Sequence, residues 1–210
     1  MKTVQYSYDA FDRRTIRRLD NDGNGTFEKY RAFISDGSHE VLELEDSDGV
    51  GATQAFRVSN RFLHGDAVDL VLSDEQYTCG TGPAINATAA STTVGLTLWT
   101  LGDHLGSIRD VVDNNGINRQ HLVFDSFGRR LREVNRDASG TVIASNNPAA
   151  IDELFGYTGR DWDNDNGLQY NRARLRNSKR RNSKEILRCQ EPLFDIWLFL
   201  SWPYRYVEGW

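Results

Sequence analysis

The stretch LGDHLGSIRD, Leu101 to Asp110, sets Asp103 beside His104, with Ser107 three residues further on. Serine, histidine and aspartate are the nucleophile, base and orienting carboxylate of acyl-transfer chemistry. The spacing argues against that use here. Adjacent residues on a strand point to opposite faces, so on a strand Asp103 and His104 do not orient each other as triad members do. No Gly-x-Ser-x-Gly elbow accompanies them. Two other stretches, DNDGNGTFE (Asp20 to Glu28) and DWDNDNG (Asp161 to Gly167), carry oxygen side chains at alternate positions, like the opening of a calcium loop. An EF-hand also needs Gly at its sixth position and a bidentate Glu at its twelfth. The first stretch has Arg31 at twelve, the second Asn166 at six and Arg172 at twelve, so both fail. Asx-rich turns between strands account for them better. His64 lies near Asp66 and Asp69, but His39, His104 and His121 are scattered, without zinc spacing. No catalytic, cofactor or metal residue is expected, and His104 reads as a packed, hydrogen-bonded histidine.

The elements around these residues read as strands. Val4, Tyr6 and Tyr8 alternate with polar residues and DAFDRR then turns the chain. KYRAFISDGSHEVLELE is two alternating runs joined at Asp36-Gly37, a pair suited to a two-residue type I′ turn. GSIRDVV, INRQHLVF, LREVN and TVIAS follow, with turns at Asn115-Gly116, DSFGRR and RDASG. Turn signals every dozen residues or so predict an all-β chain of antiparallel hairpins, a meander. Helical periodicity is nearly absent before residue 150. The small, polar segment Tyr77 to Leu96 reads as a long loop or insertion and the best candidate for disorder.

Composition supports a folded chain without a global charge bias. The 210 residues are 39% hydrophobic and include 5 Trp, 8 Tyr and 10 Phe, enough for a real core. A net charge of -5 favours neither nucleic acid nor an anionic membrane. The basic run Arg172, Arg174, Arg176 and Lys179 to Arg181 has no stacking aromatics inside it and reads as a solvated segment. Cys79 and Cys189 are too far apart in sequence for a metal knuckle. The most apolar segment, Pro192 to Tyr204, is too short to span a bilayer, and the N-terminus shows no signal-like apolar run.

YSYDAFDRRT (Tyr6 to Thr15) and LVFDSFGRRL (Leu122 to Leu131) are one repeated unit: aromatic, Asp, small residue, Phe, then Gly or Asp12, then Arg-Arg. Its physics is a packed aromatic, an Asp that caps the turn amides and a residue at the tight position. With RFLHGDAVDLVLSDE (Arg61 to Glu75), LWTLGDHLGSIRDVVDNNG (Leu98 to Gly116) and FGYTGRDWDNDNGLQYNRAR (Phe155 to Arg174), the chain resembles the Rhs, or YD-repeat, family, specifically its Rhs-repeat-associated core. The resemblance covers about residues 6 to 174. It implies repeats at 1–76, a polar insertion at 77–97, the core at 98–174 and a divergent tail at 175–210, of the kind a compensated frameshift gives. It also implies structural roles for Asp103, His104, Leu105, Gly106, Ser107, Arg109, Phe124, Asp125, Gly128 and Arg129.

The same resemblance implies a curved β-shell that encloses or presents a C-terminal toxin, a secreted or cell-surface location, and other YD repeats as partners, in a longer or a neighbouring chain. This chain then reads as a detached end of such a shell. Many relatives carry an aspartic protease that cuts off the toxin, but the matching Asp-Pro-x-Gly is missing here, so no self-cleavage is expected. A rival reading is a surface module that binds carbohydrate through exposed Trp and Tyr, with Trp99 and Trp162 as the residues whose substitution would test it.

Overall fold

A computed structural model describes residues 2–46, 56–78, 81–85, 93–151, 153–164, 166–171, 174–176 and 187–188. Eleven strands follow one another as antiparallel neighbours in a single sheet: β1 Thr3–Tyr8, β2 Arg14–Asp20, β3 Lys29–Asp36, β4 His39–Asp46, β5 Arg57–His64, β6 Val71–Gln76, β7 Leu96–Gly102, β8 Ile108–Asp113, β9 Asn118–Phe124, β10 Arg130–Arg136 and β11 Val142–Ile143. Spatial order equals chain order, so the expected meander is the fold. The sheet is open, since β1 and β11 stand at its two ends. A smaller antiparallel sheet follows, of β12 Trp162–Asp163, β13 Leu168–Tyr170, β14 Arg174–Arg176 and β15 Leu187–Arg188. The described residues contain no α-helix.

Each hairpin from an odd strand to the next even one carries a register shift, at Ser7/Tyr8, Ile34/Ser35, Leu63/His64, Leu101/Gly102 and Arg130/Arg132. A shift of this kind bends a strand and increases its twist. It also turns side chains to a new face. Tyr8 pairs with Arg14 but Ser7 pairs with Ile16, and this slip lets Arg14 and Arg17 face the same way despite their odd spacing.

The β3–β4 turn differs from expectation. Asp36 pairs with His39, so the two loop residues are Gly37 and Ser38, one position later than predicted. Only Gly37 has positive φ, +59°, which is the pattern of a type II′ turn rather than type I′. Within the polar insertion, residues 79–80 and 86–92 lie outside the described residues. β7 already begins at Leu96, and residues 81–85 pack beside β5, where Val58 N–H donates to the Pro83 carbonyl at 2.9 Å. β6 pairs with β7 over four residues, so the sheet runs unbroken past the insertion. Cys79, Cys189 and all of the 175–210 tail except the strand residues 175–176 and 187–188 lie outside the described residues.

The apolar core joins the middle of the sheet to a later segment. Phe62, Val71, Leu98, Ile108 and Val111 from β5 to β8 pack with Ile151 and Phe155. Outside this cluster Leu19, Phe33, Leu44 and Leu122 are buried alongside polar residues, Arg14, Arg17, Glu43, Asp74, Arg119, Gln120 and Asn135. Buried polar groups of this kind require partners. Asp74 accepts from Asn60 Nδ2 at 2.9 Å and from Gln76 Nε2 at 2.7 Å, while Gln120 Nε2 donates to Asn135 Oδ1 at 2.9 Å.

Candidate functional site

Asp103, His104 and Ser107 belong to a tight turn, one of five built alike: Asp9 to Arg13, Asp103 to Ser107, Asp113 to Ile117, Asp125 to Arg129 and Asp137 to Thr141. In each, the first residue's N–H donates to the fifth residue's carbonyl and the fourth residue's N–H to the first's, at 2.9–3.1 Å. The aspartate Oδ1 accepts the amides of the third and fifth residues at 2.9–3.0 Å. The fourth residue is in the left-handed region: Gly106 at +75°, Gly116 at +79°, Gly128 at +80°, Gly140 at +85° and Asp12 at +59°. Asp12 shows that the repeat tolerates a short polar residue where Gly is usual.

The second aspartate oxygen meets an arginine in four of the five turns. Arg13 Nε donates to Asp9 Oδ2 at 2.7 Å and Arg109 Nε to Asp103 Oδ2 at 2.8 Å. Arg129 and Arg119 pair with Asp125 and Asp113 at 3.3 and 3.5 Å. Partial burial opposes the charge on Asp103, but the amides of Ser107 and Leu105 and the Arg109 guanidinium outweigh it and hold the carboxyl below its usual range. Asp103 is therefore a committed acceptor, with no capacity left to orient a histidine. His104 is exposed in the turn, not packed as expected, because the turn points its second and third residues, His104 and Leu105, to solvent. The supposed triad is a capped turn.

Ser107 is fully buried and has a different partner. Its hydroxyl accepts the backbone N–H of Thr158 at 3.0 Å. Thr158 belongs to residues 151–171, a strap that meets the ends of four of the five odd-to-even hairpins. Tyr157 reaches the β9–β10 turn, donating its hydroxyl to the Ser126 carbonyl at 2.9 Å and packing edge-on against Phe124 at 5.9 Å. Gly156 accepts from Ile108 N–H at 3.0 Å beside the β7–β8 turn. Arg160 pairs with Asp69 of the β5–β6 turn at 2.6 Å. Tyr170 ends at the β1–β2 turn, donating to the Asp12 carbonyl at 3.2 Å and accepting from Arg14 N–H at 2.9 Å. Two glycines permit this closeness. A Cβ on Gly128 would lie 2.5 Å from the Tyr157 ring, and one on Gly159 would collide with the Asp69 carbonyl oxygen.

A buried ionic cluster pins the strap to β1–β4. Arg14 donates to Glu40 at 3.2 Å and to Asp161, and its guanidinium lies 3.7 Å from the Phe33 ring centre. Arg17 holds Asp163 through Nε at 2.8 Å and Nη2 at 3.0 Å, and Tyr6 donates its hydroxyl to the same carboxylate. Arg31 pairs with Glu43 at 3.0 Å. Burial, opposed by Arg14 and reinforced by Glu40, Asp163 and Glu43, pushes the Asp161 carboxyl up to about 8. Sequence reasoning took the Asp161 stretch as a solvated turn and missed this cluster. The available signal was Asp-x-Asp facing Arg-x-x-Arg, concealed by the register slip in β1–β2.

The structure thus gives Asp103, Gly106, Ser107, Arg109, Phe124, Asp125, Gly128 and Arg129 parts in the turns or under the strap. Trp162 is buried beside Arg130, which removes it as an exposed sugar platform. Asp20, Asp22 and Glu28 bring carboxylate oxygens within 4.8 Å of one another, the spacing of a cation site. Those oxygens are already engaged by the turn, with Gly23 N–H on Asp20 at 2.6 Å and Asn21 N–H on Glu28 at 2.7 Å.

No family model matches this chain, and no curated protein matches it. Solved structures do. The chain is similar to the crystal structure of TcdB2-TccC3, and to that of TcdB2-TccC3 without its hypervariable C-terminal region, each with TM-score 0.57 and 14% identity. It is also similar to TcdB2-TccC3-Cdc42, with TM-score 0.55 and 13% identity. In all three the match covers 83% of this chain and 7% of the other. At such identity the likeness establishes a shared fold, a hairpin sheet of the kind found within those much longer chains.

Proposed function

We propose that this chain is a wall-and-strap element of an Rhs/YD-repeat shell that encloses or presents a C-terminal toxin, and that it is a scaffold rather than an enzyme. The observation that carries the reading is the strap: one segment ties four of the five odd-to-even hairpin ends together through Ser107, Ser126, Asp69 and Asp12. A meander buries each hairpin only against its neighbours, so a curved wall needs cross-ties of this sort to hold its curvature. Fold likeness to TcdB2-TccC3 supports the same reading, as does commitment of the Asp103 carboxylate to turn amides. The secreted or cell-surface location, the toxin cargo and the neighbouring YD repeats come to this chain by that route.

Grafting residues 1–171 in place of the matching segment of TcdB2-TccC3 tests the proposal. Closed shells in electron micrographs are the expected result. Chimaeras that fail to close, together with an isolated chain that shortens with time in intact mass spectra and stops doing so on Asp161→Asn, would replace the scaffold with the self-cleaving reading.

A further inference from the structure

The strap meets the sheet through two groups of titratable side chains that react to protons in opposite senses. The first is the Arg14 cluster. Glu40 from β4 and Asp161 from the strap share the single guanidinium of Arg14, and Glu43 and Asp163 lie close by with Arg31 and Arg17. Four carboxylates therefore face three guanidiniums. The exposed Lys29 lines the adjoining cavity of about 110 Å³ together with Arg14, Arg17, Arg31, Asp161 and Asp163. Burial disfavours a surplus charge, so the cluster closes best with a proton on the Asp161–Glu40 pair. Asp161 Oδ1 and Arg14 Nε have no hydrogen-bond partner among the described residues, which leaves an acceptor site where that proton can sit.

The second group is a histidine stack. His39 and His64 lie ring on ring, 4.7 Å between centres and 10° from parallel, and His64 meets the strap's Phe155 edge-on at 5.9 Å. His64 Nε2 contacts the Glu40 carbonyl at 2.7 Å, so Nε2 carries the hydrogen of the neutral ring. A second proton must go on Nδ1, which is buried without a partner, as is His39 Nε2. Asp69 is the nearby carboxylate, and the strap's Arg160 already holds it.

We propose that residues 151–171 are a proton-gated strap, held on the sheet by a proton shared in the Asp161–Arg14–Glu40 cluster and loosened in alkali, with the His39–His64 stack opposing that cluster in acid. The signs follow from linkage. A carboxyl raised on docking favours the docked state at low pH, loses that contribution as pH rises from the ordinary carboxyl range to about 8, and loses nothing more above it. His64 is lowered, chiefly by burial, and favours the docked state above the ordinary histidine range, losing that contribution as pH falls below it. The two contributions oppose each other just below the histidine range, and above it the carboxyl's acts alone.

Trp162 sits on the strap and is buried when docked, and 5-fluorotryptophan in the full chain gives it a ¹⁹F resonance assignable with Trp162→Phe. The docked-to-released ratio is expected to change little just below about pH 6.5 and then to show an alkaline fall of about tenfold per pH unit up to about 8, levelling off above. Asp161→Asn should abolish the alkaline fall, and His64→Phe should extend it below about pH 6.5. A ratio constant from pH 5 to 9 would overturn the proposal, as would wild-type profiles in both variants. If Asp161→Asn does not fold, Glu40→Gln removes the surplus charge from the sheet side. Its alkaline fall must then vanish, and persistence of that fall overturns the assignment.

Discussion

Asp103 and His104 differ sharply in what they hold, and single substitutions separate them. Asp103→Ala removes the acceptor for two turn amides and for Arg109 and should cost about 1–2 kcal/mol, nearer the lower figure because the carboxylate is 19% exposed. His104→Ala changes an exposed turn residue and should stay within about 0.5 kcal/mol of wild type. Urea unfolding distinguishes the two. The positive-φ glycines form a second series. Gly116→Ala meets no neighbouring atom and carries only the left-handed backbone cost of about 1–2 kcal/mol. Gly128→Ala also presses on the Tyr157 ring, and Gly159→Ala on the Asp69 backbone, adding about 1–3 kcal/mol of overpacking. The expected order of melting temperatures is Gly116→Ala highest and Gly159→Ala lowest. Equal losses at all three would mean that the strap does not press on the turns. The sequence carries the aspartate cap and the tight glycine openly, since both act within five residues. The partners of Ser107 and Gly128 are far along the chain, and no local pattern announces them.

At the scale of the elements, turns and strands obey different degrees of local control. The period-two runs and Asp/Gly turns identify β1, β3, β4 and β8 to β11 of the large sheet, because both signals are local. The turn at Gly37 falls one residue later than Asp36-Gly37 suggests, because pairing of Asp36 with His39 decides the register. The register slip beside Arg14 is equally silent in sequence, and with it the face that Arg17 shares with Arg14. The capped turns have a collective consequence in acid. Arginine and turn-amide donors hold the carboxyls of Asp9, Asp103 and Asp125 below the usual range, against partial desolvation, and the Ser139 hydroxyl leads the same effect at Asp137. A lowered carboxyl contributes stability above about pH 4, which is lost as pH falls through its folded value. Thermal melts from pH 5 to pH 2 should show the melting temperature dropping, with a shallower slope in Asp103→Asn. A slope unchanged by that substitution would deny the cap its role.

Among the described residues the large sheet is open, and the strap meets its hairpin ends. Hairpin register shifts bend each odd-to-even pair, and the strap fastens their ends from the β9–β10 turn back to the β1–β2 turn. This division assigns the apparent chemistry of the chain to architecture: the Asp-His-Leu-Gly-Ser stretch is a fastening point, and the Asp-Trp-Asp stretch a buried pin. Hydrogen exchange of the wild-type chain and of Gly159→Val at pH 7 tests it most directly. The valine collides with the Asp69 carbonyl, so the strap lifts while the β2–β3 ladder, which residue 159 does not join, stays paired. Fast exchange is expected in Gly159→Val for the amides of Thr158, which donates to Ser107, and of Ile108, which donates to Gly156, with slow exchange kept in β2 and β3. Protection at Thr158 and Ile108 equal to wild type would contradict a strap that ties the hairpin ends together.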